Sequence, residues 1–212
     1  MTNRGFFISL QEMILISLLG ALWAAIEIHI GLLLHLVKLP FAGLLLTFLG
    51  ILIMLVGRAF VPQKGTTVLT GVIASLSTFL FLGAVVIYPI IGIVMESIFV
   101  EIGLSLPFST RINFQISGVM GMVWSFIHPF IVQGIIAGLG LFKIYSIVVE
   151  KGARLFHLMP QQVLAILLLL LSVFVAAGLL AGIVGWSLSN RLRSIVSYQW
   201  INEKSLGRKE VV

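Results

Sequence analysis

The sequence predicts an all-α, polytopic membrane protein built as a bundle of six transmembrane helices. Three observations carry this. The chain of 212 residues is 60% hydrophobic and 9% charged, where a soluble domain is about 45–50% apolar and about 25% charged. Its apolar residues fall in runs of the length a helix needs to cross about 30 Å of hydrocarbon at about 1.5 Å per residue. Proline, glycine and charge, which punctuate helices, gather between those runs. No soluble core of this length hides so much apolar surface, so lipid has to solvate part of it.

The first run, Phe6 to Ile30, follows Arg4. It is longer than the roughly 7–15 apolar residues of a cleavable signal and is read as a permanent span over 9–30. Further spans are expected at 40–57, 66–82, 86–106, 116–146 and 160–189. The breaks between them are Leu39-Pro40, Val61 to Gly65, Ser105 to Arg111, and Glu150 to Pro160. One helix over 66–106 would be about 60 Å long, twice the hydrocarbon thickness, so Gly83 and the Tyr88-Pro89 pair are read as a turn. In the long fifth span Pro129 cannot donate to the Ser125 carbonyl, which predicts a kink.

Charge orients the bundle. With six spans and the N-terminus inside, nine basic residues lie on the inner side: Arg4, Arg58, Lys64, Arg111, Arg191, Arg193, Lys204, Arg208 and Lys209. Four lie outside: Lys38, Lys143, Lys151 and Arg154. That bias follows the positive-inside rule. Five spans would give six against seven and erase it. Residues 1–190 are therefore read as one transmembrane domain in the cell membrane, with both termini cytoplasmic. Residues 191–212 form a basic cytoplasmic tail, whose Tyr198 and Trp200 suit the head-group level. The net charge of +6 sits in loops and tail, where it meets lipid head groups rather than nucleic acid.

The chemistry this sequence excludes narrows its function. It has no cysteine, hence no disulfide, thiolate metal site or cysteine nucleophile. It shows no HExxH, GxSxG, Walker loop or paired acidic cluster. The expectation is a protein that is not an enzyme and holds no metal or cofactor.

Polar residues inside the spans are the remaining signal, because a carboxylate at mid-membrane costs at least about 2.5–3.5 kcal/mol. Glu96 lies in the middle of the fourth span with Ser97 its one adjacent polar residue. It is read as a ligand or ion contact, the alternative being a hydrogen bond to another helix. Glu101, about 140° further around the helix, does not share its face and reads as structural. Glu27, beside His29 and near His35, is either a site residue or an interfacial carboxylate that reaches water. In span five, steps of three and four align Ser117, Gly121, Trp124 and His128 on one stripe. Glu96, Trp124 and His128 are the expected substrate-binding residues, with packing of Trp124 and backbone satisfaction by His128 as alternatives. Pairs of small residues four apart, Ala21/Ala25, Gly134/Gly138 and Gly178/Gly182, permit close helix approach. Ala21, Ala25, Gly178 and Gly182 are the expected docking residues, against packing within the chain.

Several of these segments resemble the substrate-binding S-components of energy-coupling factor (ECF) transporters. The segment from Val175 to Leu192, VAAGLLAGIVGWSLSNRL, is similar to their glycine-rich last helix with its short basic stop. Ser117-Gly118 through Ser125-Phe126-Ile127-His128 looks like span five of the branch associated with thiamine or its hydroxymethylpyrimidine moiety. Pro62 to Ser75 and Gly92 to Glu101 fit the middle helices, and Ala21-x-x-x-Ala25 matches the alanine motif that meets the coupling subunit. The resemblance covers most of the chain with loose motifs, and it implies a vitamin-binding subunit that hydrolyses no ATP itself. Such a subunit docks on a transmembrane coupling subunit with two ATPases, and its pocket opens outward. The histidine of the cobalt and nickel branch, close behind the initial methionine, is absent. Two other classes compete with this one: a secondary transporter, which usually shows related halves or broken helices, and a membrane scaffold, which needs no buried carboxylate.

Overall fold

The computed structural model describes residues 8–39, 41–82, 87–136, 138, 140–159 and 161–207. Arg4, Pro40, Gly83, Pro160, Arg208 and Lys209 lie outside the described residues. Among the described residues there are seven α-helices and no strand. They are α1 (Leu10–Leu36), α2 (Ala42–Phe60), α3 (Thr66–Leu82), α4 (Ile87–Leu104), α5 (Thr110–His128), α6 (Leu141–Phe156) and α7 (Val163–Gly207). A π-helical segment, Pro129–Ile136, continues α5. Four segments are long and apolar enough to cross a membrane: Leu10–Leu34, Ala42–Phe60, Thr110–Val132 and Val163–Val196. They mark a membrane-embedded protein. Helix α3, with 17 residues, is apolar but shorter.

Helices α1–α5 and α7 pack side by side. Helix α1 begins in a capping box: the Ser9 backbone N–H donates to Glu12 at 2.8 Å and the Glu12 N–H donates back to Ser9 Oγ at 3.3 Å. The Gln63 side chain donates to the same carboxylate at 3.3 Å, tying the α2–α3 connection to the start of α1. Trp23, fully buried, lays its indole on Gly50, where an added Cβ would come within 2.7 Å of the ring. At the α4–α5 turn, the Asn113 amide donates to the Leu104 and Leu106 carbonyls at 3.3 and 2.8 Å, satisfying acceptors left open at the end of α4.

Helices α5 and α7 cross in close backbone contact. A Cβ on Gly178 would stand 2.7 Å from the Gly118 carbonyl oxygen, and one on Gly182 would stand 2.5 Å from the Gln115 Cα. Both glycines are buried. The sequence expectation that they dock a partner is therefore corrected: their surface is taken by α5 of the same chain. Ala21 and Ala25, by contrast, are exposed on α1.

Three expected boundaries change. The expected span 116–146 is two helices. Helix α5 begins earlier, at Thr110, and the chain turns between the π segment and α6. The kink expected at Pro129 takes the form of a shift into π register, because proline removes the donor that an α-helix would use there. Gly138 and Gly140, at φ 67° and 80°, then reverse the chain in a conformation that glycine adopts without a Cβ penalty. Helix α6, read from sequence partly as span and partly as loop, is amphipathic. It buries Ile144, Val149 and Ala153, the last two against Ile166 and Leu170 of α7, and exposes Phe142, Lys143, Glu150, Lys151 and Arg154. Helix α7 runs unbroken past Asn190 to Gly207, so the domain and the tail drawn from sequence share one helix.

Candidate functional site

A cavity of about 950 Å³ opens at the end of the bundle where α1 meets α2. This lies within the range of small-ligand sites, about 300–1,000 Å³. It brings together residues from α1, α2, α4, α5, the π-helical segment, α6 and α7. Glu27 and Lys38 come from α1 and the turn after it, Thr47 from α2, Gly92 and Glu96 from α4. Trp124, Ser125 and His128 come from α5, Lys151 and Arg154 from α6, and Phe174 from α7.

Glu96 is the centre of this wall. It lies nine residues into α4, so about 14 Å along the helix from its cavity-side end, and it is 5% exposed. Thr47 Oγ1 lies 3.2 Å from Glu96 Oε2 and 3.0 Å from Ser125 Oγ. One hydroxyl proton serves one acceptor. The carboxylate is the stronger one, so Ser125 supplies the proton of the second bond. The other carboxylate oxygen, Oε1, is buried and has no hydrogen-bond partner among the described residues. A buried, unsatisfied carboxylate oxygen costs several kcal/mol, of order 1–3 or more, which makes a donor from a bound molecule the natural complement.

The α5 stripe faces α4 along its length. Ser117 sits against Gly103, Gly121 against Val100, and His128 against Gly92. Near the cavity it becomes a small aromatic cluster. Trp124 stacks on Phe99 with ring centroids 5.3 Å apart and meets the His128 ring edge-on at 5.9 Å. The Trp124 indole N–H donates to the Gly92 carbonyl at 3.2 Å. A ligand therefore finds Trp124 already fixed, with one ring face and its donor engaged. Stacking expected of Trp124 is confined to the face away from Phe99. His128 ends α5 at the cavity wall, directly before the π register.

The other carboxylates divide as their positions dictate. Glu27 lines the same cavity as Glu96. Glu101 belongs to the opposite end of α4. It lies 3.5 Å from the Arg58 guanidinium and accepts from the Thr67 hydroxyl at 2.6 Å. Nearby, Arg193 of α7 donates to the Ala59 carbonyl and ties α7 to the end of α2. His29 takes no part in the cavity wall, its Nδ1 lying 2.9 Å from the Ala25 carbonyl oxygen.

Sequence reasoning missed Thr47, Lys38, Lys151 and Arg154 as cavity residues. Thr47 had a signal, since it is the lone hydroxyl in the apolar run from Ala42 to Val56. The three cations had none: Lys38 reads from sequence as an ordinary loop charge, and Lys151 and Arg154 reach the cavity only because α6 packs against the bundle at this end. Comparison with models of known protein families, with curated proteins and with solved structures finds no match for this chain.

Proposed function

We propose that this protein is the membrane-embedded substrate-binding subunit of an uptake transporter of the ECF type, with thiamine or its pyrimidine precursor the favoured ligand. The reading takes α1–α5 and α7 as the six spans, with both termini cytoplasmic and the cavity opening outward. The observation that carries it is Glu96: a buried carboxylate with one oxygen unpartnered, set in the wall of a ligand-sized cavity.

An aminopyrimidine suits the wall by complementarity. Its exocyclic amine donates to Glu96 Oε1, the Thr47–Ser125 pair keeps Oε2 occupied, and its flat ring has His128 and the remaining Trp124 surface to pack on. A cationic ring gains further from the carboxylate and from the aromatic face, about 2 kcal/mol where desolvated. Energy for transport comes from outside the chain, through a transmembrane coupling subunit with ATPases. The exposed Ala21 and Ala25 on α1 are the favoured contact for that subunit.

The test is ligand binding to the purified protein in nanodiscs. Glu96→Gln preserves shape and removes charge, so affinity for thiamine or 4-amino-5-hydroxymethyl-2-methylpyrimidine is expected to fall at least about tenfold, or about 1.4 kcal/mol. Absence of binding by the unmodified protein to both compounds and to their phosphate esters would remove the reading.

A further inference from the structure

The cavity is electrically polarised along its depth. Its carboxylates lie inside: Glu96 is buried, and Glu27 is partly buried nine residues before the end of α1, about 14 Å along that helix. Its cations lie at the mouth. Lys38, in the turn after α1, and Lys151, on α6, both line the cavity and both are exposed. Arg154 lines it too, but its guanidinium already meets Glu150 at 2.6 Å. Among the described residues neither lysine has an ion-pair partner. Lys38 is moreover held at φ 53°, a left-handed conformation costly for a residue with a Cβ. No carboxylate among the described residues is thus paired with either lysine head at the entrance.

Resting on the transport reading above, we propose that the ligand is bipolar, with an amino-heterocycle at Glu96 and an anionic group, a phosphate ester in the first instance, held by Lys38 and Lys151. Glu96 lies about 14 Å along α4 from its cavity-side end, so a solute that meets both Glu96 and the lysines is elongated. A cationic ring joined to a phosphorylated arm matches both the length and the sequence of charges. A lone cation matches only the floor, and a simple anion would enter past the lysines to meet two carboxylates. Phosphate from lipid head groups has the same chemistry at the mouth, so the experiment has to separate the two sources.

The test measures affinities of nanodisc-embedded protein for two pairs, thiamine against thiamine monophosphate and the hydroxymethylpyrimidine against its phosphate ester. The phosphorylated member of at least one pair is expected to bind about tenfold more tightly or better. Lys38→Gln with Lys151→Gln should reduce that preference to within about threefold, and Lys38→Arg with Lys151→Arg should retain it. Equal binding of both members of each pair, or preference for the unphosphorylated ones, overturns the bipolar ligand and leaves the transport reading intact. Binding of no member removes the transport reading and this inference with it. Native mass spectrometry of the same samples supplies the lipid arm. Phospholipid retained by the unmodified protein and lost from the glutamine variant, without any solute preference, assigns the lysines to head groups and overturns the proposal.

Discussion

Glu96 is the buried carboxylate in the wall of the cavity. Glu96 keeps one oxygen on Thr47 and leaves the other without a protein partner. The Thr47 hydroxyl is therefore expected to matter more than an ordinary surface hydroxyl. Thr47→Val keeps the shape and removes the donor, which strands the second carboxylate oxygen as well. Leaving a buried acceptor unsatisfied costs about 1–3 kcal/mol, so the variant should melt several degrees lower and bind ligand more weakly. Thermal unfolding followed by tryptophan fluorescence reads the first effect. A variant with unchanged melting and unchanged binding would show that Thr47 does not hold the carboxylate. Glu101 differs in having a cation beside it: its Oε1, like that of Glu96, makes no hydrogen bond among the described residues, but the Arg58 guanidinium lies 3.5 Å away and the Thr67 hydroxyl donates to Oε2.

At the scale of elements, small residues occupy two separate settings. Gly178 and Gly182 bring α7 onto the backbone of α5, and a side chain at either has no room. Ala21 and Ala25 lie on an exposed face of α1, where a large side chain displaces nothing within the chain. Two classes of variant should accordingly separate. Gly178→Leu or Gly182→Leu forces backbone apart and is expected to reduce folded yield severely, as judged by monodisperse elution. Ala21→Trp with Ala25→Trp should leave elution and ligand binding as they are, while lowering co-purification of a coupling subunit. Undiminished co-purification of that double variant would dismiss the α1 face as the docking surface. Helix α6 makes a related point about reach: it packs on α7 through one face and brings its cations to the cavity with another.

For the whole molecule the open quantity is the number of crossings. Four helices are long and apolar enough to span, and α3 and α4 lie packed between neighbours that are. If all six bundle helices cross, the charge bias sets the C-terminus in the cytoplasm and α6 outside. Reporters of compartment fused at Val212 and inserted near Lys151 should then lie on opposite sides of the membrane. Both reporters on one side would exclude the six-span arrangement. This measurement also decides which face the cavity opens to, because Lys151 stands at its mouth.

Composition by itself determined that this chain is helical and membrane-embedded, since so much apolar surface needs lipid and spanning backbone must satisfy its own hydrogen bonds. Spacing along a helix was equally legible. It set Ser117, Gly121, Trp124 and His128 on one stripe and parted Glu96 from Glu101, because a helix fixes angle per residue whatever surrounds it. The cost of a buried charge singled out Glu96 without any coordinates. Tertiary structure alone decided what each stripe faces. The glycines of α7 had one sequence pattern and two possible partners, and only packing assigned them to α5. Lys151 read as a loop cation until the turn at Gly138 and Gly140 folded α6 over the bundle end. Periodicity records the shape of one helix, whereas a cavity is made by side chains far apart in sequence, whose meeting depends on how the helices cross.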